Sequence, residues 1–491
     1  MRPAFLLCFV LSYFLLLLLI AWLTSRKGDN DTFFVANRNS RWWLVAFGMI
    51  GTSISGVTFI SVPGTVRVDH FSYFQFILGN SVGYILIALV LLPLYYRMRL
   101  TSIYTYLRTR LGPSSYKTGA FFFLLSRTIG SSFRLFLVAI VLQRFIFDAW
   151  NIPFWLTVSV SLLLIWTYTF RGGLKTIIWT DSVQTVFLLA SVILSVYFIG
   201  KSLNSSLPAM ARMVAHSSYS RIFIWDHFMA DPRQFVKHFL GGVAVSVAMT
   251  GLDQDLMQKN LSCRNVREAR KNMFSFTVIF VLVNLFFLSV GALLYIFASD
   301  KGIPVPGRSD YLFPTIALQH LGTMEAVIFI LGLTAATFAT TDSALTALTT
   351  SFCVDFLGFR ENQDHDLQDR SVRTRHLVHI GFSALFLIVT VGFRYLVSEA
   401  VVTAIFKVAS YTYGPLLGLF LFGILSRRAV RDRWVPWVCV LSPLICFLLE
   451  RYAREWFGYQ FGFELLIVNG LITFAGLAIL SRPAKPLILN Y

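Results

Sequence analysis

The chain has 491 residues, 56% of them hydrophobic and only 13% charged, with a formal net charge of +18. In a soluble protein that charge would suggest a nucleic-acid partner, but here apolar runs of about the twenty residues needed to cross a bilayer recur from end to end, which indicates a polytopic membrane protein. The longest polar gaps, Lys201 to Lys237 and Asp300 to His320, are loop-sized, so residues 1–491 are expected to form one integral membrane domain with no separate soluble domain.

The first apolar run, "FLLCFVLSYFLLLLLIAWL", follows Arg2, is too long for a signal-peptide core and lacks a small-residue cleavage site. It is expected to stay as an extra N-terminal helix over residues 1–24. Hydropathy then divides the chain into about thirteen spans: roughly Ala4 to Leu23, Trp42 to Val66, Phe71 to Tyr96, Gly119 to Phe147, Pro153 to Tyr168, Leu174 to Ile199, Val236 to Asp253, Asn272 to Phe297, Met324 to Phe356, His376 to Phe393, Ala400 to Leu425, Trp434 to Leu449 and Glu464 to Leu480. Every second connection is rich in Lys and Arg, from Arg26, Lys27, Arg38 and Arg41, through Arg171 and Lys175 and then Lys259 to Lys271, to Arg360 and Arg427 to Arg433. The positive-inside rule therefore predicts the N-terminus outside and the C-terminus, with Arg482 and Lys485, inside.

Two spans read as broken helices. The second contains "GMIGTSISGVTFISVPGTV", and its Gly48, Gly51, Gly56, Pro63 and Gly64 would weaken a straight helix unless the freed backbone groups were used. The seventh, "FLGGVAVSVAMTGLDQD", carries Gly241, Gly242 and Gly251. Small residues also serve close helix packing. Two such segments five spans apart instead suggest inverted repeats, because a unit with an odd number of helices re-enters from the opposite side; the units are 42–199 and 236–425, with extra C-terminal helices over 434–480.

The ninth span ends in "TAATFATTDSALTALTTSFCVDF", an accumulation of hydroxyls that helix propensity does not require. Threonines can satisfy themselves by bonding the backbone one turn earlier, the reading that suits Thr346, Thr349 and Thr350. Carboxylates inside spans are costly and usually functional, which singles out Asp181 and Asp342; Asp181 has a structural alternative, pairing with Arg171 or Lys175, and Asp253 and Asp355 read as structural acids at helix ends. Arg127 and Arg134 lie seven residues apart on one helical face. Either snorkels or pairs with an acid such as Asp181, or it offers a guanidinium fork to a substrate carboxylate. The five cysteines show no metal-ligand or disulfide spacing, and Walker A, His-Glu-x-x-His and nucleophile-elbow motifs are absent, so an enzyme is not expected.

In chain order, "DTFFVANRNSRWW", "SGVTFISVPG", "YYRMRLTSIYTYLRTRLG", "RGGLKTIIWTDSVQ", "GLDQDLMQKNLS", "TTDSALTALTTSFCVD" and "YTYGPLLGLFLFGIL" resemble the sodium:solute symporter family. The resemblance implies an all-α polytopic membrane protein with the leucine-transporter-like fold, two inverted five-helix repeats, and Na⁺-coupled uptake of a small polar solute across the cell membrane, here a bacterial inner membrane. It also implies Na⁺ bound by the carbonyls of Gly51, Ile54 and Ala336 and the hydroxyl of Thr340; Ala339 departs from the serine common in the family. Asp181, with Asp342 and Ser343, is implied in a second cation site or in coupling. The sialic-acid members use an arginine of the helix that carries Arg127 and Arg134, which points to an anionic sugar, with a neutral sugar, amino acid or other solute as the alternative. A non-transporting receptor or a channel of the same fold is the rival class. Ser53, Ser55, Thr58, Gln75, Asn80 and Ser246 are expected to meet such a substrate, and Phe59, Phe74, Met249, Tyr411 and Tyr413 to stack or gate. The partners implied are the solute, Na⁺ and lipid, without nucleic acid or an obligatory protein partner.

Overall fold

The computed structural model describes residues 3–24, 30–170, 173–359, 365–396 and 401–483. Arg26, Lys27, Arg171, Arg360 and Lys485, used above for orientation, lie outside them. Among the described residues, eight helices are long and apolar enough to cross a membrane. Three further pairs reach that length only across a sharp bend, and two shorter apolar helices remain.

Shorter helices apart, those that build the bundle are, in chain order, α1 (Pro3–Thr24), α2 (Trp42–Ser53), α3 (Gly56–Asp69), α4 (Tyr73–Leu86), α5 (Pro113–Leu142), α6 (Phe154–Thr169), α7 (Gly173–Ser202), α8 (Phe235–Ser246), α9 (Gln254–Leu261) and α10 (Val266–Asp300). They continue as α11 (Thr323–Ser351), α12 (His365–Leu396), α13 (Val401–Thr412), α14 (Gly414–Leu425), α15 (Val435–Phe457) and α16 (Leu465–Ile479). The hydroxyl-rich α11 is central: it packs on α2, α5, α7 and α9, and residues 332–351 are all buried. Helices α12 and α15 are peripheral and leave Leu377, Ile388, Trp437 and Leu444 exposed, as lipid-facing surfaces require.

The bends follow local chemistry. Between α2 and α3 the axis turns by 53°, where Ile54 leaves helical geometry and the extended Ser55 caps α3 by accepting from the Val57 N–H at 3.3 Å. Helix α8 passes through a wider π-turn at Val247–Gly251 and bends by 64° into α9, whose first turn is capped by the Asp253 carboxylate. Asp253 is thus not at a helix end beside a basic loop but at the bend itself, fully buried. The third bend, 46° between α13 and α14 at Tyr413, was not anticipated. Gly414-Pro415 marks it in sequence, since proline suits the first turn of a new helix and breaks an old one.

Two glycines let α4 and α8 cross closely. A Cβ on Gly79 would lie 2.0 Å from the Phe239 carbonyl oxygen, and one on Gly242 2.2 Å from that of Phe76. This contact of backbones brings Asn80 and Ser246 to one cavity.

Candidate functional site

Each bend releases backbone carbonyls, and the fate of these differs. At the α8–α9 bend the Gly251 carbonyl accepts from the Tyr95 hydroxyl and that of Leu252 from the Tyr104 hydroxyl, both at 2.9 Å. At the α13–α14 bend the Asn469 amide donates to the carbonyls of Ser410 (2.8 Å) and Tyr411 (2.9 Å). At the α2–α3 bend the last α2 bond runs from the Ile54 N–H to Ile50, and the first bond beyond it from the Phe59 N–H to Ser55. Between them, among the described residues, no donor reaches the carbonyls of Gly51, Thr52, Ser53 or Ile54. Uncapped carbonyls beside a buried hydroxyl-rich helix suit a small hard cation that prefers oxygen.

Helix α11 supplies those hydroxyls. A Cβ at Gly56 would come within 2.8 Å of Thr337 Oγ1, so α11 lies directly against the start of α3. The Thr340 hydroxyl gives its proton to the Thr337 carbonyl at 2.9 Å, which leaves its lone pairs to accept or coordinate. Thr349 and Thr350 bond the carbonyls one turn earlier at 2.7 and 2.8 Å.

The other wall of the α2–α3 bend faces a narrow cavity of about 90 Å³. Ser53, Ser55, Thr58, Asn80, Ser246 and Met249 line it together with Arg127 and Arg134, and Ser53 Oγ and Asn80 Oδ1 are buried without a partner among the described residues. The cavity meets a wider vestibule of about 700 Å³, the two sharing Tyr73, Val402 and Phe406. The two arginines differ. Arg127 pairs with Asp255 and lies 3.7 Å from Asp253, while Tyr413 donates to Asp253 at 2.6 Å. Its partners are therefore the two acids of the α8–α9 bend, not Asp181, and they use up its charge. Among the described residues no carboxylate or hydrogen-bond acceptor is paired with Arg134. Tyr413 lines a smaller recess beside both arginines.

Asp181, in the third turn of α7, is fully buried. Its Oδ2 accepts from Lys259 Nζ (2.5 Å), Thr52 Oγ1 (3.0 Å) and Ser343 Oγ (3.5 Å), while its Oδ1 has no partner among the described residues. The alternative partner Lys175 is exposed. The neighbouring Asp342 accepts from the Tyr168 hydroxyl at 2.7 Å and from the Ser343 N–H at 2.5 Å. A Cβ on Gly48 would sit 3.3 Å from that of Asp181, and one on Gly51 2.4 Å from Thr185 Oγ1, so α7 is seated against the α2 side of the bend.

Four sequence assignments need correction. Gln75 is turned away from the cavity and holds the loop that precedes α8, donating to the Ser72 and Arg233 carbonyls and accepting from the Ile224 N–H. Phe59 belongs to an aromatic cluster with Phe287, Phe313 and Phe329. Phe74 packs on the core without lining the cavity, and Tyr411 is bound to Glu450 at the periphery. On α4 the cavity face is instead Tyr73, Phe76, Asn80 and Tyr84, spaced three or four apart. That spacing was available in the sequence. The Lys259–Asp181 pair was not, because it joins residues far apart in the chain across a bend.

A helical bundle with bent spans around a buried polar cavity, one bend carrying unfilled carbonyls, defines a secondary transporter of the broken-helix type. The sodium:solute symporter family matches residues 33–432, and the chain belongs to that family. It is 22% identical over 486 residues to the sodium/sialic acid symporter SiaT of Proteus mirabilis, covering 97% of this chain and 95% of that protein. It is 23% identical to the sodium/sialic acid symporter NanT of Aliivibrio fischeri, covering 92% and 89%. A solved structure of a Na⁺-coupled sialic acid symporter, substrate-bound and outward-open, superposes with a TM-score of 0.84 at 18% identity, covering 98% of this chain and 99% of that one. The fold is leucine-transporter-like and the chain is a multi-span membrane transporter of a sodium-coupled family.

Proposed function

We propose that this protein is a Na⁺-coupled symporter that takes up an anionic, hydroxylated solute of the sialic-acid type across the bacterial inner membrane. Sodium sits between the α2–α3 bend and α11, held by the carbonyls of Gly51, Ile54 and Ala336 and the hydroxyl of Thr340, with Ala339 contributing no side-chain ligand. Asp181, Asp342 and Ser343 form the neighbouring charge cluster that governs coupling. The solute lies in the cavity, its carboxylate on Arg134 and its hydroxyls and amide on Ser53, Ser55, Thr58, Asn80 and Ser246; Arg127 shapes the cavity while bound to its own acids. The inverted repeats 42–199 and 236–425 rock around this site, with the N-terminus outside and the C-terminus inside.

The observation that carries the reading is Arg134, a cavity-lining guanidinium without a carboxylate partner among the described residues, whereas Arg127, seven residues earlier, has two. A half-buried charge without a partner favours a counter-charge, and the solute supplies it. The two bacterial relatives reported above, both sialic acid symporters, support the same reading. The test is uptake into proteoliposomes under an imposed Na⁺ gradient, comparing sialic acid with its methyl ester on wild type and Arg134→Ala. Wild type is expected to prefer the acid, and the variant to lose roughly ten- to a hundred-fold in affinity for it while treating the ester as before, the equivalent of about 1.5–3 kcal/mol. Equal loss of acid and ester, or uptake driven equally well in choline buffer, would refute the reading.

A further inference from the structure

We propose that Lys259 is a built-in cation: its ammonium occupies the cage of Asp181, Thr52 and Ser343 in place of a second sodium ion, so that the carrier moves one Na⁺ with each substrate. The inference rests on the sodium-coupled reading above and adds the stoichiometry that the reading leaves open.

Lys259 lies on α9 and is 1% exposed. Its Nζ donates to Asp181 Oδ2 at 2.5 Å and to Thr52 Oγ1, and the Ser343 hydroxyl stands 3.5 Å from the same carboxylate oxygen. A carboxylate and two hydroxyls drawn from α2, α7 and α11 form the kind of oxygen set that would hold a monovalent metal ion, and an ammonium carries the same charge in a similar space. The bend at Gly251 to Asp253 makes this reach possible, because it turns α9 by 64° from the axis of α8 and so directs Lys259 inward at Asp181.

Charge counting leads to the stoichiometry. The Asp181 carboxylate and the Lys259 ammonium cancel, so the fully buried cage holds no uncompensated negative charge for a second ion. A second Na⁺ would leave the region with an excess positive charge and would have to displace an ammonium from its carboxylate. With a monoanionic substrate, one Na⁺ makes the transported complex electroneutral.

The experiment measures radioactive sodium and radiolabelled sialic acid taken up by the same proteoliposomes, together with the Na⁺ dependence of the rate and the transport current. Wild type is expected to carry sodium and acid one for one, with a Hill coefficient near one and no net current. Lys259→Gln removes the ammonium and is expected to move the ratio and the Hill coefficient towards two and make transport electrogenic. Lys259→Arg, which keeps the charge, stays at one. In Asp181→Asn with Lys259→Gln the charge count is restored, and the ratio returns to one. A wild type that carries two sodium ions per substrate with inward current overturns this inference and leaves sodium symport standing; uptake independent of sodium overturns both. A Lys259→Gln carrier, or a doubly substituted one, that departs from these ratios also overturns it, and if the single variant fails to fold, the wild-type ratio decides alone.

Discussion

The two bent spans marked by their glycines look alike in sequence and differ in what becomes of the carbonyls they release. At the α8–α9 bend two tyrosine hydroxyls fill them, a carboxylate caps the next helix, and Arg127 ties that capping group to α5. At the α2–α3 bend only Ser55 serves the backbone, through its N–H side, and the carbonyls stay open beside α11. A bend whose polar groups are met by the protein is a hinge or a wall; a bend whose acceptors are left over is where an ion can substitute for them. The same contrast separates the arginines of α5, one neutralised by Asp253 and Asp255 and the other left for a ligand.

The largest effect should come from undoing the filled bend. Arg127→Ala leaves two buried carboxylates without their cation and is expected to cost about 3–5 kcal/mol of stability, read as a large fall in the thermal midpoint in detergent, whereas Arg134→Ala should unfold close to wild type. Equal midpoints for the two variants would erase the distinction. Next, Gly51→Ala sets a Cβ 2.4 Å from Thr185 Oγ1 and 3.3 Å from the Asp181 carbonyl, which shifts the open carbonyls themselves. The Na⁺ concentration for half-maximal uptake is expected to rise about tenfold or more, or about 1.4 kcal/mol.

The smaller effects sharpen the ligand set. Thr340→Ala removes one hydroxyl from α11 and should raise half-saturation for Na⁺ several-fold, with about 1 kcal/mol lost and little loss of folded protein. Ala339→Ser adds the hydroxyl that the family commonly has and should lower half-saturation modestly. A serine variant with unchanged or poorer Na⁺ dependence would mean that α11 does not supply the ion in this register.

Much of this was legible in the chain. Glycine and proline density located two bends, because those residues weaken helices wherever they occur, and the family motifs placed the α11 hydroxyls. The third bend was missed although Gly414-Pro415 signals it, since a long apolar run masks a local break. Gln75 and Asn80 cannot both face the cavity: five residues at about 100° each put them roughly 140° apart on α4. Which arginine keeps its charge was not readable, because the deciding acids sit on α9, more than a hundred residues from α5 in the chain. Lys259, counted among the basic residues of a loop, lies instead on a buried helix that only the bend brings to Asp181.

The most direct measurement is equilibrium binding of radioactive sodium to purified wild type, Gly51→Ala and Tyr104→Phe. The last removes a hydroxyl that fills the α8–α9 bend at Leu252 without touching the α2–α3 bend. If sodium belongs to the open carbonyls, binding is weakened about tenfold or more in Gly51→Ala and is retained in Tyr104→Phe. Wild-type binding in Gly51→Ala, or its loss in Tyr104→Phe alone, would contradict the account.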